Sequence, residues 1–128
     1  MRRGELYLVN PQPAKGVELA KIRPALIVSS DAINEQPSLP VLVILGSGAE
    51  HYSVDSPALV RVEAKSGHLK KDTVFSALHL KSFDRSRFED PKTGELKYLC
   101  TLGEGHMRKV DMAMLFALEL HPYLPLAD

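Results

Sequence analysis

Short apolar runs that stop at proline, glycine or polar residues constrain the fold of this chain more than any other feature. Before residue 80 these runs cover residues 5–9, 25–29, 41–45, 58–63 and 73–78. Each has the length of a β-strand, and Pro24 and Pro40 stand directly before the second and third runs. Those two runs are continuously apolar, as is typical of strands buried on both faces. The pattern predicts a mainly β structure whose core is built on residues 25–29 and 41–45.

The character of the chain changes after Gly105. Apolar residues then recur at helical spacing, at Met107, Val110, Met114, Ala117 and Leu118. Pro122 follows where the pattern ends, so we predict one amphipathic C-terminal helix. Its methionines are interpreted as helix-to-barrel packing, although methionines also form adaptable partner surfaces. Residues 90–94 read Asp-Pro-Lys-Thr-Gly and predict an exposed hairpin or loop. Short strands followed by one helix indicate a small barrel with a helix packed on it.

Length and composition indicate one ordinary globular unit. The 128 residues, 45% hydrophobic and 25% charged, suffice for a single domain over residues 1–128. No apolar run is long enough to span a bilayer, and the N-terminus lacks the features of a secretory signal, so we expect a cytoplasmic protein without a membrane partner. Cys100 is the single cysteine and is interpreted as a small buried hydrophobic residue.

The charges balance overall but are unevenly placed. Lysine plus arginine and aspartate plus glutamate each number 16, so the whole chain has no net attraction for nucleic acid. Three basic groups stand out, namely Lys15 with Lys21 and Arg23, Lys65 with Lys70 and Lys71, and Lys81 with Arg85 and Arg87. If the fold joins two of these groups, a short basic groove forms; otherwise they are three solvated faces.

General enzyme motifs are absent from the sequence. There is no glycine-rich phosphate loop, no His-Glu-x-x-His motif, no paired-cysteine zinc spacing and no nucleophile elbow. The histidines are scattered without the spacing of metal ligands, at positions His51, His68, His79, His106 and His121. We therefore expect no metal site, and each histidine is more typical of a surface or hydrogen-bonded position than of a catalytic one.

Two segments together resemble a known family. The first reads Arg-Gly-Glu-Leu-Tyr-Leu-Val-Asn at residues 3–10, continues with Pro13, Gly16 and Glu18, and then has Arg23-Pro24 before an apolar run and Asn34. It is similar to the opening of the MazF/PemK family of bacterial toxins, with its R-G-E strand, P-x-x-G-x-E loop and R-P turn. The second, residues 69–85, resembles the family's later strand, and the C-terminal helix occupies the expected place.

The resemblance implies both a fold and an activity. The fold is an SH3-like barrel of the MazF/PemK/CcdB toxin type, mainly β with a C-terminal helix. The implied protein is a homodimer that cuts single-stranded RNA sequence-specifically, without metal or other cofactor, at a site along the dimer interface. It leaves a cyclic phosphate and a free 5′-hydroxyl. The implied partner is a cognate, MazE-like antitoxin whose tail binds over the same surface.

The residues nearest to the chemistry depart from the family pattern. The family's catalytic arginine corresponds to Arg23, but its catalytic threonine falls on Gly46, with Ser47 next in the chain. In the second segment the family's acidic residue and glutamine correspond to Leu78 and His79. The basic residue of that segment becomes Lys81. The altered positions leave open whether the site is active or decayed.

The chemistry of metal-free RNA cleavage suggests a role for each of these residues. The reaction needs a proton acceptor, a proton donor and fixed positive charge beside the transition state. Arg23 suits the last role because a guanidinium grips two phosphate oxygens and is a poor base. His79 can act as acid or base near neutral pH, and Lys81, two residues further along a strand, adds charge on the same face. Ser47 can orient the phosphate, while Gly46 allows close approach of the RNA backbone.

Structural alternatives accompany these roles. Arg23 could instead form an ion pair with Glu18 or Glu5, and Leu78 could simply belong to the core. Other assignments remain open in the same way. Lys15 and Lys21 either bind RNA or lie on a solvated loop that Glu18 stabilises, and Tyr7 and Phe83 either stack on bases or are buried in the barrel.

A second function on the same barrel is a binding protein without catalysis. It would be an inactive family member, or a protein resembling the CcdB toxin, which contacts DNA gyrase through its C-terminal end. Residues 121–125 are apolar and aromatic enough for such a contact, and equally suited to packing. The ribonuclease is favoured because the R-P and P-x-x-G-x-E features belong to that branch.

Overall fold

The framework of the protein is a curled antiparallel sheet that forms a half-barrel. The computed structural model describes residues 1–10, 22–53, 55–120 and 122, and within them the sheet has six strands in the order β4-β5-β3-β2-β1-β6. The strands are β1 (Glu5–Val9), β2 (Arg23–Ile27), β3 (Val41–Gly48), β4 (Leu59–Val62), β5 (Thr73–Phe83) and β6 (Lys97–Thr101). The predicted mainly β architecture is therefore confirmed, and the apolar strands β2 and β3 lie at its centre.

Helices close the ends and one side of the sheet. They are α1 (Asp31–Asn34), α2 (Ala64–Gly67) and α3 (Glu104–Ala117), with single 3-10 turns at Ala49–His51 and Arg85–Phe88. The predicted C-terminal helix is confirmed as α3, which packs on β4 and β5 through Met107, Val110 and Ala113. No helix in the described ranges is long and apolar enough to cross a membrane.

Alternation along the strands divides the core into two clusters on opposite faces of the sheet. The inner cluster lies under α3 and includes Leu6, Leu26, Ile44, Phe75 and Val110. The outer cluster includes Tyr7, Ala25, Leu45, Phe83 and Phe88. Within the outer cluster the ring of Phe88 meets the rings of Tyr7 and Phe83 edge to face. Tyr7 and Phe83 are thus buried core aromatics, as one of the two sequence interpretations proposed.

Strand ends differ from the predicted ones. β2 begins two residues earlier than predicted, and β3 continues to Gly48. β6 forms at residues 97–101, for which the sequence pattern predicted no strand. The hairpin or loop predicted at 90–94 is confirmed by a hydrogen bond from Asp90 N to Glu95 O (2.9 Å). These ends depend on pairing with distant strands, which local patterns do not contain.

The largest difference concerns β5, which continues through His79 to Phe83 instead of ending near His79. Its register against β3 is irregular, because Ile44 pairs with Leu80 whereas Gly46 pairs with Phe75. The residues between Phe75 and Leu80 therefore bulge, and the bulge interrupts the alternation that the prediction assumed. Leu78 lies in this bulge with 73% of its surface exposed, so the interpretation of Leu78 as a core residue is wrong.

Candidate active site

Arg23 and Ser47 meet across the two central strands. Ala25 pairs with Leu45, so the same antiparallel register, continued toward the strand ends, places Arg23 opposite Ser47. Arg23 Nε donates to the carbonyl oxygen of Gly46 (3.1 Å), and an Nη of Arg23 donates to Ser47 Oγ. A guanidinium carries more N–H donors than these bonds use, so it can bind phosphate from this position.

Gly46 is required by packing on the inner face. A Cβ at this position would lie 2.6 Å from Thr73 Cγ2 and 2.8 Å from Phe75 Cε1, both closer than real Cβ contacts. The family's threonine would not fit here without movement of the neighbouring side chains. Ser47, one residue further, points to the face that carries Arg23, so the hydroxyl beside the arginine comes from Ser47 instead.

His79 lies close enough to Arg23 and Lys81 to feel their charges. Burial lowers the pKa of its imidazole below the ordinary 6.5, and the positive charges of Arg23 and Lys81 lower it further. The imidazole is therefore neutral at neutral pH and able to accept a proton. Its Nδ1 is buried without a hydrogen-bond partner among the described residues. Lys81 is exposed and pairs with Val43, on the outer face of the sheet.

A cavity of about 410 Å³ opens beside this pair, between the ends of β1 to β3 and the connection from α2 to β5. We call it the Arg23 cavity. Its apolar wall is formed by Leu8, Ile22, Pro24, Leu69 and Leu99. Its polar and charged lining comprises Arg23, Ser47, His51, His68, Lys70 and Lys71. Arg23 from the first basic group and Lys70 and Lys71 from the second thus share one concave surface, the arrangement that the sequence left open as one of two alternatives.

Two lining residues, His51 and His68, were not predicted as site residues. His51 ends the 3-10 turn that follows β3, and its Nε2 lies 3.5 Å from Glu50 Oε1. The carboxylate of Glu50 is also hydrogen-bonded and ion-paired to Lys71, a contact that lowers its pKa. The only sequence signal for His51 is its short separation from Ser47.

Other sequence predictions have mixed outcomes. Lys15, Lys21 and Glu18 lie outside the described residues, as does the alternative ion pair between Arg23 and Glu18. The alternative pair with Glu5 is wrong, because the Glu5 carboxylate accepts hydrogen bonds from Arg2 N (2.6 Å) and the Tyr7 hydroxyl (2.9 Å).

Cys100 is half-buried against the inner cluster, and burial raises the pKa of its thiol. The sequence predicted a small buried hydrophobic residue, and Cys100 is only partly buried. Within the described ranges, no group of three His, Cys, Asp or Glu side chains converges as metal ligands would.

A family model described as PemK-like, MazF-like toxin of type II toxin-antitoxin system matches residues 2–118. The chain belongs to this MazF/PemK toxin family. Endoribonuclease MazF from Staphylococcus epidermidis is 27% identical over 123 residues, which cover 96% of this chain and 95% of that protein. This MazF/PemK family member therefore matches a relative over nearly the full length of both chains.

Solved MazF structures share the fold of this MazF/PemK family member. The MazE–MazF complex from Deinococcus radiodurans matches with a TM-score of 0.70 and 24% identity, over 94% of this chain and 96% of that one. An endoribonuclease from a mycobacterial species, in complex with its cognate antitoxin, matches with a TM-score of 0.68 and 20% identity over 99% of both chains. These likenesses confirm the predicted toxin-type fold.

Proposed function

We propose that this MazF/PemK family member is the toxin of a type II toxin-antitoxin system and a sequence-specific, metal-independent endoribonuclease acting on single-stranded RNA in the cytoplasm. The observation that carries the proposal is the Arg23 guanidinium held against Ser47 at the edge of a basic cavity. The endoribonuclease activity named for the Staphylococcus epidermidis relative supports it. We treat residues 1–128 as one functional domain.

In the proposed reaction the RNA 2′-oxygen attacks the adjacent phosphorus, and the bond from phosphorus to the 5′-oxygen breaks. The products are a 2′,3′-cyclic phosphate and a free 5′-hydroxyl. Arg23 stabilises the negative charge that builds on the phosphate oxygens, and the Ser47 hydroxyl orients the phosphate. His79 takes the proton of the 2′-hydroxyl, a role supported by the lowered pKa that keeps its imidazole neutral.

Basic residues around the cleavage centre bind the rest of the RNA. Lys81 contacts phosphate on the His79 side. As the family resemblance implies, the proposal also includes Lys15 and Lys21 as RNA-binding residues and Glu18 as a loop-stabilising residue. Close approach of the RNA backbone at Gly46 completes this binding surface. Lys70 and Lys71 extend the positive charge along the Arg23 cavity. Because the net charge of the chain is zero, this local cluster supplies the electrostatic attraction for RNA.

Partners follow from the relatives. The Deinococcus radiodurans match is a MazE–MazF complex, and the mycobacterial match contains a cognate antitoxin. We propose a MazE-like antitoxin that covers the RNA site, and a homodimer as the active form. Nothing in the described residues favours the alternative of a non-catalytic, CcdB-like protein, and the C-terminal stretch on which it depended lies almost entirely outside them.

The direct test is incubation of the purified protein with a long single-stranded RNA in excess chelator. We expect specific cuts that carry cyclic-phosphate ends. Arg23→Ala should reduce the cleavage rate by about 10²- to 10³-fold, the usual cost of losing a transition-state donor. Arg61→Ala is the matched control, because Arg61 is exposed on β4 and pairs with Asp72.

The outcomes separate the function from the residue roles. No cutting by the parent protein, at any enzyme concentration or incubation time, would overturn the ribonuclease. Cutting by Arg23→Ala at the rate of Arg61→Ala would leave the ribonuclease in place and remove Arg23 from its mechanism.

A further inference from the structure

Cleavage of the RNA backbone needs a proton donor as well as a proton acceptor. Arg23, Ser47 and His79 in their proposed roles do not include a donor. The departing 5′-oxygen must gain a proton, which neither Arg23 nor Ser47 is suited to give at neutral pH. His79 is occupied with the 2′-hydroxyl in the proposed function, and it is not among the residues that line the Arg23 cavity. Two imidazoles, those of His51 and His68, do line this cavity and are able to donate a proton.

The turn after β3 brings the Glu50 carboxylate back onto the strand end that carries Ser47. A Cβ at Gly48 would lie 2.4 Å from both carboxylate oxygens of Glu50, so the carboxylate rests directly on Gly48. Adjacent residues of a strand point to opposite faces, so Glu50 lies on the face away from Ser47. It is His51, the next residue of the turn, that lines the Arg23 cavity together with the arginine–serine pair. Lys71 pairs with Oε1 of the same carboxylate and lowers the pKa of Glu50.

His51 lies beside this carboxylate, whereas His68 has a structural explanation. Glu50 Oε1 lies 3.5 Å from His51 Nε2, a distance that suits an ion pair with an imidazolium. The side chain of His51 is 62% exposed, so substrate can reach it. His68 instead ends α2 in the left-handed backbone conformation (φ 53°) that caps short helices.

We propose that His51, oriented by Glu50, is a further catalytic residue and donates the proton to the departing 5′-oxygen. The inference rests on the proposed ribonuclease function. As the 2′-oxygen bonds to phosphorus, its proton passes to His79, and as the bond from phosphorus to the 5′-oxygen breaks, that oxygen takes the proton of the His51 imidazolium. The two histidines end in reversed protonation states, and proton exchange with water restores them.

The charges that face His51 come from every side of the cavity. Glu50 is the acidic group on its own turn, and the groups contributed by other elements are Arg23, His68, Lys70 and Lys71. Glu50 pairs with Lys71 as well as facing His51, so one carboxylate balances the cations nearest to the imidazole.

The test compares ordinary RNA with RNA whose scissile 5′-oxygen is replaced by sulfur, because a thiolate leaves without needing a proton. With ordinary RNA, His51→Gln should lower kcat by about 10²-fold, the common size of a general-acid contribution, with KM nearly unchanged. With the 5′-thio substrate the same variant should cleave at the parent rate. His79→Gln should stay slow on both substrates, and His68→Gln is the matched control from the same cavity.

Each result decides the matter. Rescue of His51→Gln alone by sulfur supports the assignment, provided that circular dichroism shows the parent fold. Parent-like cleavage of ordinary RNA by His51→Gln, an equal defect on both substrates, or rescue of His68→Gln instead would overturn it. Absence of cleavage by the parent protein, by contrast, is a failure of the ribonuclease proposal itself.

Discussion

Position 46 determines where a hydroxyl can stand beside Arg23. We expect Gly46→Thr to lower the free energy of unfolding by about 1–3 kcal/mol, because its Cβ would be forced against Thr73 and Phe75. Urea denaturation measures the change. Ser47→Thr is the control, since Ser47 is only half-buried and should change stability by less than about 0.5 kcal/mol. Parent-like stability of Gly46→Thr would contradict this account of the packing.

The imidazole of His79 makes stability depend on pH. Its pKa lies below the ordinary 6.5 in the folded protein, so the unfolded chain binds a proton first as the pH falls. The free energy of unfolding should therefore decrease from pH 6.5 downward until the folded-state pKa is passed, and then level off with respect to this group. Denaturant titrations of the parent and His79→Gln at several pH values give the free energy of unfolding at each pH. This free energy should change less steeply with pH in the variant than in the parent. Parallel curves would show that His79 does not have the lowered pKa.

Individual site residues were predictable only where a local motif marks them. Arg23 was found through the R-P pair, and Ser47 through its position after Gly46. His51 was missed because its relation to the site depends on a turn that folds Glu50 back over Gly48, which no residue spacing reveals. Leu78 was misread because the bulge in β5 cancels the alternation that burial arguments assume.

The elements differ in how firmly they are held, and α3 offers a matched pair of methionines. Met107 is buried against the inner cluster, whereas Met112 is 57% exposed on the same helix. Met107→Ala should lower the free energy of unfolding by about 2–5 kcal/mol, and Met112→Ala by less than about 0.5 kcal/mol. Chemical denaturation at several protein concentrations checks both values. Equal costs would contradict the packing, and a concentration-dependent cost at Met112 would indicate that a second copy covers this face.

Elements with a complete local signal were predicted well. The periodicity of residues 107–118 defined α3 because a helix makes its hydrogen bonds within one segment. Strand ends were less accurate, since β5 is long enough to pair with both β3 and β4, and β6 exists because β1 offers an edge. Such pairings depend on residues far apart in sequence.

At the scale of the whole molecule, the chain has zero net charge, and the positive charge proposed to bind RNA is local to the Arg23 cavity. The slope of log RNA affinity against log salt concentration should therefore correspond to a small number of local phosphate contacts. Lys70→Ala should reduce the slope of log affinity against log salt concentration by about 0.7, the value for one phosphate contact on a single strand. Fluorescence anisotropy with a labelled, non-cleavable 2′-deoxy oligonucleotide measures the slope.

Lys92→Ala is the matched control for this measurement, because Lys92 lies in the exposed turn at 90–94 and does not line the cavity. Its slope should equal that of the parent protein. Identical slopes for Lys70→Ala and Lys92→Ala would remove Lys70 from the RNA surface.

The register between β2 and β3 has a practical consequence for engineering. The position of Arg23 opposite Ser47 follows from the antiparallel register of the two central strands. Replacing the segment that connects β2 to β3 should therefore leave the arginine–serine pair in place, whereas the connection after β3 must be kept because it carries His51. The two central strands thus form a fixed scaffold, and the connection between them can be redesigned separately.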